Sequence, residues 1–244
     1  MKRTALLLSL LLTSSAFAGE VLIPAVYRGA GANATLWRTE IVVSNIAPNF
    51  LNAPIVNATI TFHQDNGETK EVQMVLSPME VLAIPDAVHY WFSVENGGGI
   101  VRVTWDDTPH ARIAARARIY NVGEHGEYGQ SVPGVATSRL VSDHFLPGLS
   151  GIDGNRTNVG VSNPSTASTI VWIELFDTSG LSRGSFATGI PARSFRQFND
   201  IFSHFQAGPL NAAMVRVTST DTVIYAYASI VRNDTGDATF VMQP

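Results

Sequence analysis

Histidine, aspartate, serine and glycine are the residues from which this chain could build a reactive site, and their spacing argues against one. The six histidines (His63, His89, His110, His125, His144 and His204) occur singly, without the short spacings that bring two imidazoles to one metal ion. "GAGANA" (Gly29–Ala34) fits a dinucleotide-binding G-x-G-x-x-A. That chemistry needs a helix behind the glycines, and the following "TLWRTEIVVSN" reads as a strand. "GLSGI" (Gly148–Ile152) sets its second glycine one place too early for a nucleophile elbow. "WDDTP" and "RNDTGD" are acidic, but they lack the regular oxygen spacing of a calcium loop and read as solvated turns. No Ser/His/Asp grouping clusters locally. The expectation is a non-enzyme with no cofactor and no metal.

Arginine, aspartate and tyrosine carry the remaining signal. Arg38-Thr39 and Arg156-Thr157 each start a strand-like segment, and Asp86 and Asp200 each sit at a short helical segment. Either this is a ligand site present twice, or Arg38–Asp86 and Arg156–Asp200 are internal ion pairs tying strand to helix. The ion-pair reading is the expectation. A second set lies on two matching strands. In "IAARARI" and "IYAYASI" the alternate positions Ile113, Ala115, Ala117, Ile119 and Ile224, Ala226, Ala228, Ile230 form one small apolar set, expected to face a core. The other face then carries Arg116 and Arg118 in one strand and Tyr225 and Tyr227 in the other, with Arg102 and Arg216 of the two "VRVT" segments beside them. Arginine and tyrosine are enriched at interfaces because each joins contact area to a polar tip. These six residues are the candidate binding set, and the two faces could stack on one another through cation–π contacts.

The elements that must position these residues are written twice. "RTEIVVSN" at Arg38–Asn45 matches "RTNVGVSN" at Arg156–Asn163. "LSPMEVLAIPD" ending at Asp86 matches "IPARSFRQFND" ending at Asp200, and "VRVT" recurs at Val101 and Val215. Blocks in the same order at nearly constant offset indicate a tandem duplication, with a joint near Ala136–His144. Each half alternates polar and apolar residues with a period of two. "TITFHQDNGETKEVQMVL" reads as two strands around Asp65-Asn66-Gly67, the residue types that supply positive φ in a hairpin turn. The only helical candidates are the brief "PDAVHYWF" and "NDIFSHF". The fold class is therefore all-β: two tandem duplicated β-sandwich domains of immunoglobulin-like size, each with one short helix.

The N-terminus adds an address. Lys2 and Arg3 precede an apolar run from Ala5 to Leu12 and then Ala16-Phe17-Ala18, the layout of a cleaved signal peptide. Residues 1–18 are read as that peptide, 19–140 as the first sandwich and 141–244 as the second, which is expected to fold without the first. No cysteine occurs, so the exported protein relies on its core rather than on disulfides. Removing Lys2 and Arg3 moves the formal net charge from −4 to −6, and no basic cluster suggests nucleic acid. The expected location is periplasmic or extracellular, with no membrane span.

The second half also resembles a known family. "IPARSFRQFNDIF" (Ile190–Phe202), lying between "SNPSTASTIVWIELFDTSG" and "MVRVTSTDTVIYAYAS", is similar to the Pro-Ala-Arg and Phe-Asn-Asp segment of the sensory rhodopsin transducer family. That resemblance implies a small β-sandwich that oligomerises and binds small ligands such as sugars. The first half matches less, since "SPMEVLAIPD" lacks the Pro-Ala-Arg. The whole chain resembles a broader group of uncharacterised secreted bacterial proteins with tandem β-sandwich repeats.

Two functions are consistent with these readings. One is a non-catalytic secreted binding or structural module whose outer sandwich faces contact a protein partner or a second copy. The alternative is a carbohydrate-binding protein, with Tyr225 and Tyr227 as a stacking platform. A secreted hydrolase is a distant third. Sugar sites combine aromatics with convergent amides and acids, and the sequence places no such set. The signal-peptide reading has a direct check: intact-mass analysis of the exported protein should show a chain beginning at Gly19.

Overall fold

The alternating segments fold as strands, because a period of two puts one apolar row on a single sheet face. The computed structural model describes residues 17–31, 35–47, 53–106, 108–123 and 126–243. In the first half the chain runs β1 (Phe17–Ala30), β2 (Leu36–Asn45), β3 (Val56–Gln64), β4 (Thr69–Leu76), β5 (Val81–Ile84), α1 (Ala87–Tyr90), β6 (Gly97–Asp106), β7 (Ile113–Gly123) and β8 (Gly126–Pro133). The short β9 (Val135–Ala136) and a 3₁₀ turn at Thr137–Arg139 lead into the second half. There the order is β10 (Asp143–Leu149), β11 (Asn155–Asn163), β12 (Thr169–Phe176), β13 (Ser182–Ile190), β14 (Ser194–Phe198), α2 (Ile201–His204), β15 (Ala213–Ser219), β16 (Tyr225–Arg232) and β17 (Ala238–Met242). The predicted hairpin turn is Asp65-Asn66-Gly67, with Gly67 at φ 91° between β3 and β4. Both helical segments are single turns.

The second half is a sandwich of two antiparallel sheets, β10-β15-β12-β13 and β14-β11-β16-β17. The first half runs the same order, β1-β6-β3-β4 facing β5-β2-β7-β8. Its two faces are joined into one sheet because β1 crosses from β6 to β2, pairing Gly29 with Trp37 and Ala30 with Leu36. The crossing follows a register shift between Ile23 and Val26, next to Pro24; β10 shifts at the matching place, between Leu146 and Leu149, around Pro147. Proline lacks the N–H that a ladder needs, which confines it to such irregularities.

Residues common to both halves have common tasks. Thr39 donates its hydroxyl to the Tyr27 carbonyl, and Thr157 donates to the Ser150 carbonyl. Asn45 and Asn163 are fully buried. Each amide group donates to a carbonyl of the loop that follows its strand (Pro54, Ala167) and to the last carbonyl of a distant strand (Leu76 of β4, Ile190 of β13), and each side-chain oxygen accepts the N–H two residues on. A buried amide must be satisfied in this way, since leaving it unpaired costs about 1–3 kcal/mol. The repeated Arg-Thr…Ser-Asn phrase is thus largely a pair of backbone clamps.

Strand β16 departs from the sequence reading. Ile224, Ala226 and Ala228 are buried in the core of the second sandwich, as the alternation predicts. Tyr225 and Tyr227, expected on an outward face, are 6% and 1% exposed, and they join the apolar cluster of the first half. The outer face of β14-β11-β16-β17 is covered by the first sandwich: Ser162 Oγ donates to the Pro24 carbonyl, Ser229 Oγ donates to Gln130 Oε1 at 2.7 Å, and Phe195 lies against Gly98. Period-two alternation identifies the two faces of a strand but not how many of them meet solvent, so burial on both faces was not readable.

The register explains one further difference between the repeated phrases. Val42 pairs with Arg116 in the first half, and Gly160 pairs with Tyr227 at the matching place in the second. A side chain on Gly160 would put its Cβ 2.2 Å from the Tyr227 ring. The glycine is therefore what lets the ring lie flat on its own sheet beneath the first sandwich. Gly160→Val, the residue found in the first half, should lower stability by about 1–3 kcal/mol through overpacking. A thermal melt would show it as a Tm lower by several degrees, and an unchanged Tm would mean that the ring is not held over the glycine.

Candidate functional site

The junction leaves a cleft of about 790 Å³ between the two sandwiches. Its second-half wall is the outer face of β14-β11-β16-β17, and the strand registers give its layout. Arg156 pairs with Val231 and Val231 with Ala238; Asn158 pairs with Ser229; Gly160 pairs with Tyr227 on one side and Gln197 on the other. Residues that pair directly share a sheet face. Arg156, Asn158, Gln197, Tyr227 and Ser229 therefore project together, and all five line the cleft. The facing wall brings Tyr27 from β1, Trp37 from β2, Gln130 from β8, and Asp65 and Asn66 from the β3–β4 turn.

The polar groups of the second-half wall hold one another. Tyr227 Oη donates to Gln197 Oε1 at 3.2 Å, and Gln197 Nε2 donates to Asn199 Oδ1 at 2.8 Å. Asn158 Oδ1 accepts the Asp200 N–H at 3.1 Å. Burial raises the Tyr227 phenol above the ordinary tyrosine range, with Tyr225 adding to the shift, and burial alone pushes Tyr225 up to about 12. Both phenols are neutral at physiological pH, so Tyr227 serves at the edge of the cleft as a hydrogen-bonding group that orients Gln197 rather than as a base. The Tyr227 ring stacks on Phe240, with centroids 5.0 Å apart and planes at 17°. Such chains of bonds fix the directions of the remaining donors and acceptors before any ligand arrives.

The expected cation–π stack between the arginine and tyrosine faces is not formed. Arg118 lies over Tyr120 of its own sheet at 4.8 Å and bonds Glu127 at 2.8 Å, while Arg116 is 3.6 Å from Glu40. Arg102 pairs with Glu20. Arg216 makes a two-pronged contact to Asp143, with both bonds at 2.9 Å, and sits over Phe145 at 5.4 Å. Each arginine finds its acid on a neighbouring strand of its own half. Of the candidate binding set, only Tyr227 lines the cleft; Tyr225 packs edge-on to the buried His144, whose Nε2–H donates to the Ile224 carbonyl.

The two expected ion pairs diverge. Asp86 is bound chiefly by Arg28, whose Nε reaches both carboxylate oxygens at 3.0 and 3.1 Å; Arg38 Nε stands 3.9 Å away. The sequence reading missed Arg28 because the repeat omits it. Four residues past the matched prolines, Arg28 corresponds to Gly151, which lies under the Phe202 ring. Arg156 and Asp200 do not pair at all. Asp200 turns to its own helical turn and accepts from the Ser203 hydroxyl and N–H, and Arg156 Nη1 donates to Asn233 Oδ1 at 2.5 Å.

Among the described residues no group of histidines and acids is placed to hold a metal ion; His125 and Asp107 lie outside them. In "RNDTGD", Asp234 pairs with Arg232 and Asp237 accepts the Ala238 N–H. Of "GAGANA", residues 32–34 lie outside the described residues, as do residues 1–16 of the expected signal peptide. No helix among the described residues is long and apolar enough to cross a membrane.

No family model and no curated protein matches the chain. A comparison with solved structures finds the apo form of a Pleurotus ostreatus lectin, 12% identical, covering 93% of this chain and 83% of that one with a TM-score of 0.16. A score that low carries no argument about fold or ligand.

The two arginines of the expected pairs should behave differently. Arg28 and Asp86 are 11% and 10% exposed at the side chain; removing one partner of a fully isolated buried pair costs about 3–5 kcal/mol, an upper bound here because Arg38 stays 3.9 Å from Asp86. Denaturant unfolding should show a loss of up to that size for Arg28→Ala. Arg156→Ala, which breaks only a bond to a neutral amide, should lose about 1 kcal/mol or less.

Proposed function

We propose that this protein is an exported, non-catalytic binding module and that its ligand, a carbohydrate, sits in the cleft between the two sandwiches. The observation that carries the reading is the convergence of aromatic plates of the first half and amides of both halves on one cavity: Tyr27 and Trp37 with Asn66, Gln130, Asn158 and Gln197. A sugar ring offers an apolar face of C–H groups and a rim of hydroxyls that donate and accept. Aromatic plates suit the face, and amides, which both donate and accept, suit the rim. The volume lies within the range of about 300–1,000 Å³ typical of small-molecule sites.

The lining of the cavity supports binding over catalysis. Among the described residues its one carboxylate is Asp65 and no histidine lines the wall, so the paired acid and base of a glycoside hydrolase have no counterpart among them. The protein-contact reading rested on outward Arg and Tyr faces. It loses ground because those arginines are matched to acids of their own half and the tyrosines are covered.

Glycan-array screening of the protein, followed by titration calorimetry on the best hit, tests the proposal. Trp37→Ala and Asn158→Ala should each weaken binding roughly tenfold, the size of effect expected for a buried anchor; Trp37 also packs on the first core, so Trp37→Ala should lower the thermal melt as well. Failure of every glycan on the array to bind would overturn the carbohydrate reading.

A further inference from the structure

We propose that the carbohydrate taken by this cleft is acidic, and that Arg156 receives its carboxylate; this rests on the carbohydrate reading above. Most arginines among the described residues face an acid. Arg28, Arg102, Arg118, Arg183, Arg216 and Arg232 all have a carboxylate oxygen within 3.0 Å. Arg156, like Arg112, Arg139, Arg193 and Arg196, has none among the described residues, although it occupies the place of Arg38, which stands near Asp86. The acid that sequence symmetry offers it, Asp200, is held by Ser203.

The manner in which Arg156 is held matters as much as its charge. Its Nη1 is anchored to Asn233 Oδ1, and among the described residues its Nε–H and Nη2–H have no partner. That edge of a guanidinium presents two parallel donors at the spacing of two carboxylate oxygens, the geometry of a bidentate contact. Arg156 is only partly exposed and lines the cleft one register step from Asn158. A pyranose carboxylate on Arg156 would therefore leave the ring's hydroxyls near Asn158 and Ser229. Arg196 also borders the cleft, but it pairs opposite the core residue Val161 and donates to Thr188 of β13, so it faces away. Asp65 stands on the opposite wall, in the β3–β4 turn. The cleft is thus cationic on one side and acidic on the other, and an acidic sugar can enter in one orientation.

The test uses an array that carries neutral oligosaccharides beside uronate- and sialate-bearing ones, read with the unmodified protein and with Arg156→Gln and Arg156→Lys. Acidic glycans should be retained at least tenfold better than neutral ones, and 0.5 M sodium chloride should weaken them. Arg156→Gln should remove the preference while leaving the thermal melt near that of the parent. Arg156→Lys, which keeps the charge without the planar fork, should recover only part of it. Equal retention of neutral and acidic glycans, or an acidic preference that survives in Arg156→Gln, overturns the assignment of Arg156 and leaves the carbohydrate reading standing. Retention of no glycan overturns both.

Discussion

The packing of the Tyr227 ring over Gly160 is the constraint on which the junction of the two halves depends. A strand in a solvated sandwich face buries one side; β16 buries both. Ile224, Ala226 and Ala228 close the second core, while Tyr225 and Tyr227 are covered by the first sandwich. Two phenols are large apolar bodies, and burying each contributes about 1.5–3 kcal/mol only if its polar tip finds a partner. The Tyr227 hydroxyl finds Gln197, and the Tyr225 hydroxyl lies 3.6 Å from the Met242 sulfur. Without the glycine the ring would stand off its sheet, and the opposing surface could not close down on it.

The cleft follows from the same packing. Curved sandwiches touch where side chains interlock and separate where they do not. Contact is made through Pro24, Gly98, Phe195 and the two tyrosines, and beyond it the face opens toward Asn158, Arg156 and Val231. The wall of the cleft is thus a continuation of the interface surface, on rigid strands whose registers fix the spacing of each side chain. The opposing wall adds Trp37, Tyr27 and the β3–β4 turn, elements positioned by a different core. A cavity built this way exists only while both halves are docked, which ties any ligand it takes to the stability of the junction.

The two halves handle their arginines differently. In the first half Arg28 neutralises Asp86 in a partly desolvated setting, where a charge without a partner is costly. In the second half a glycine stands where Arg28 would, Phe202 fills the space, and Asp200 is recruited to its own helical turn. Arg156 is thereby left without an acid, where Arg38 at the matching place has Asp86 3.9 Å away. Arg116 and Arg118 keep their acids and stay on an outer face.

The sequence by itself determined the periodic features. A period of two and hairpin residues at Asp65–Gly67 pointed to an all-β chain, several of its strands, its two short helical segments and, apart from the half-buried Ile230, the core face of β7 and β16. These are local or self-referential signals, since each depends on neighbouring residues or on a comparison of the chain with itself. Only the tertiary structure decided what lies against the second face of β16, which acid each arginine meets, and that Trp37, Asn66, Gln130, Asn158 and Gln197 share one cavity. Those residues are separated by tens of positions and belong to strands whose neighbours are set by docking. A strand pattern records which side of a sheet is apolar; it does not record what covers the other side. Tyrosine in particular is at home in solvent, in a core or at a junction, because its ring is apolar and its tip is not.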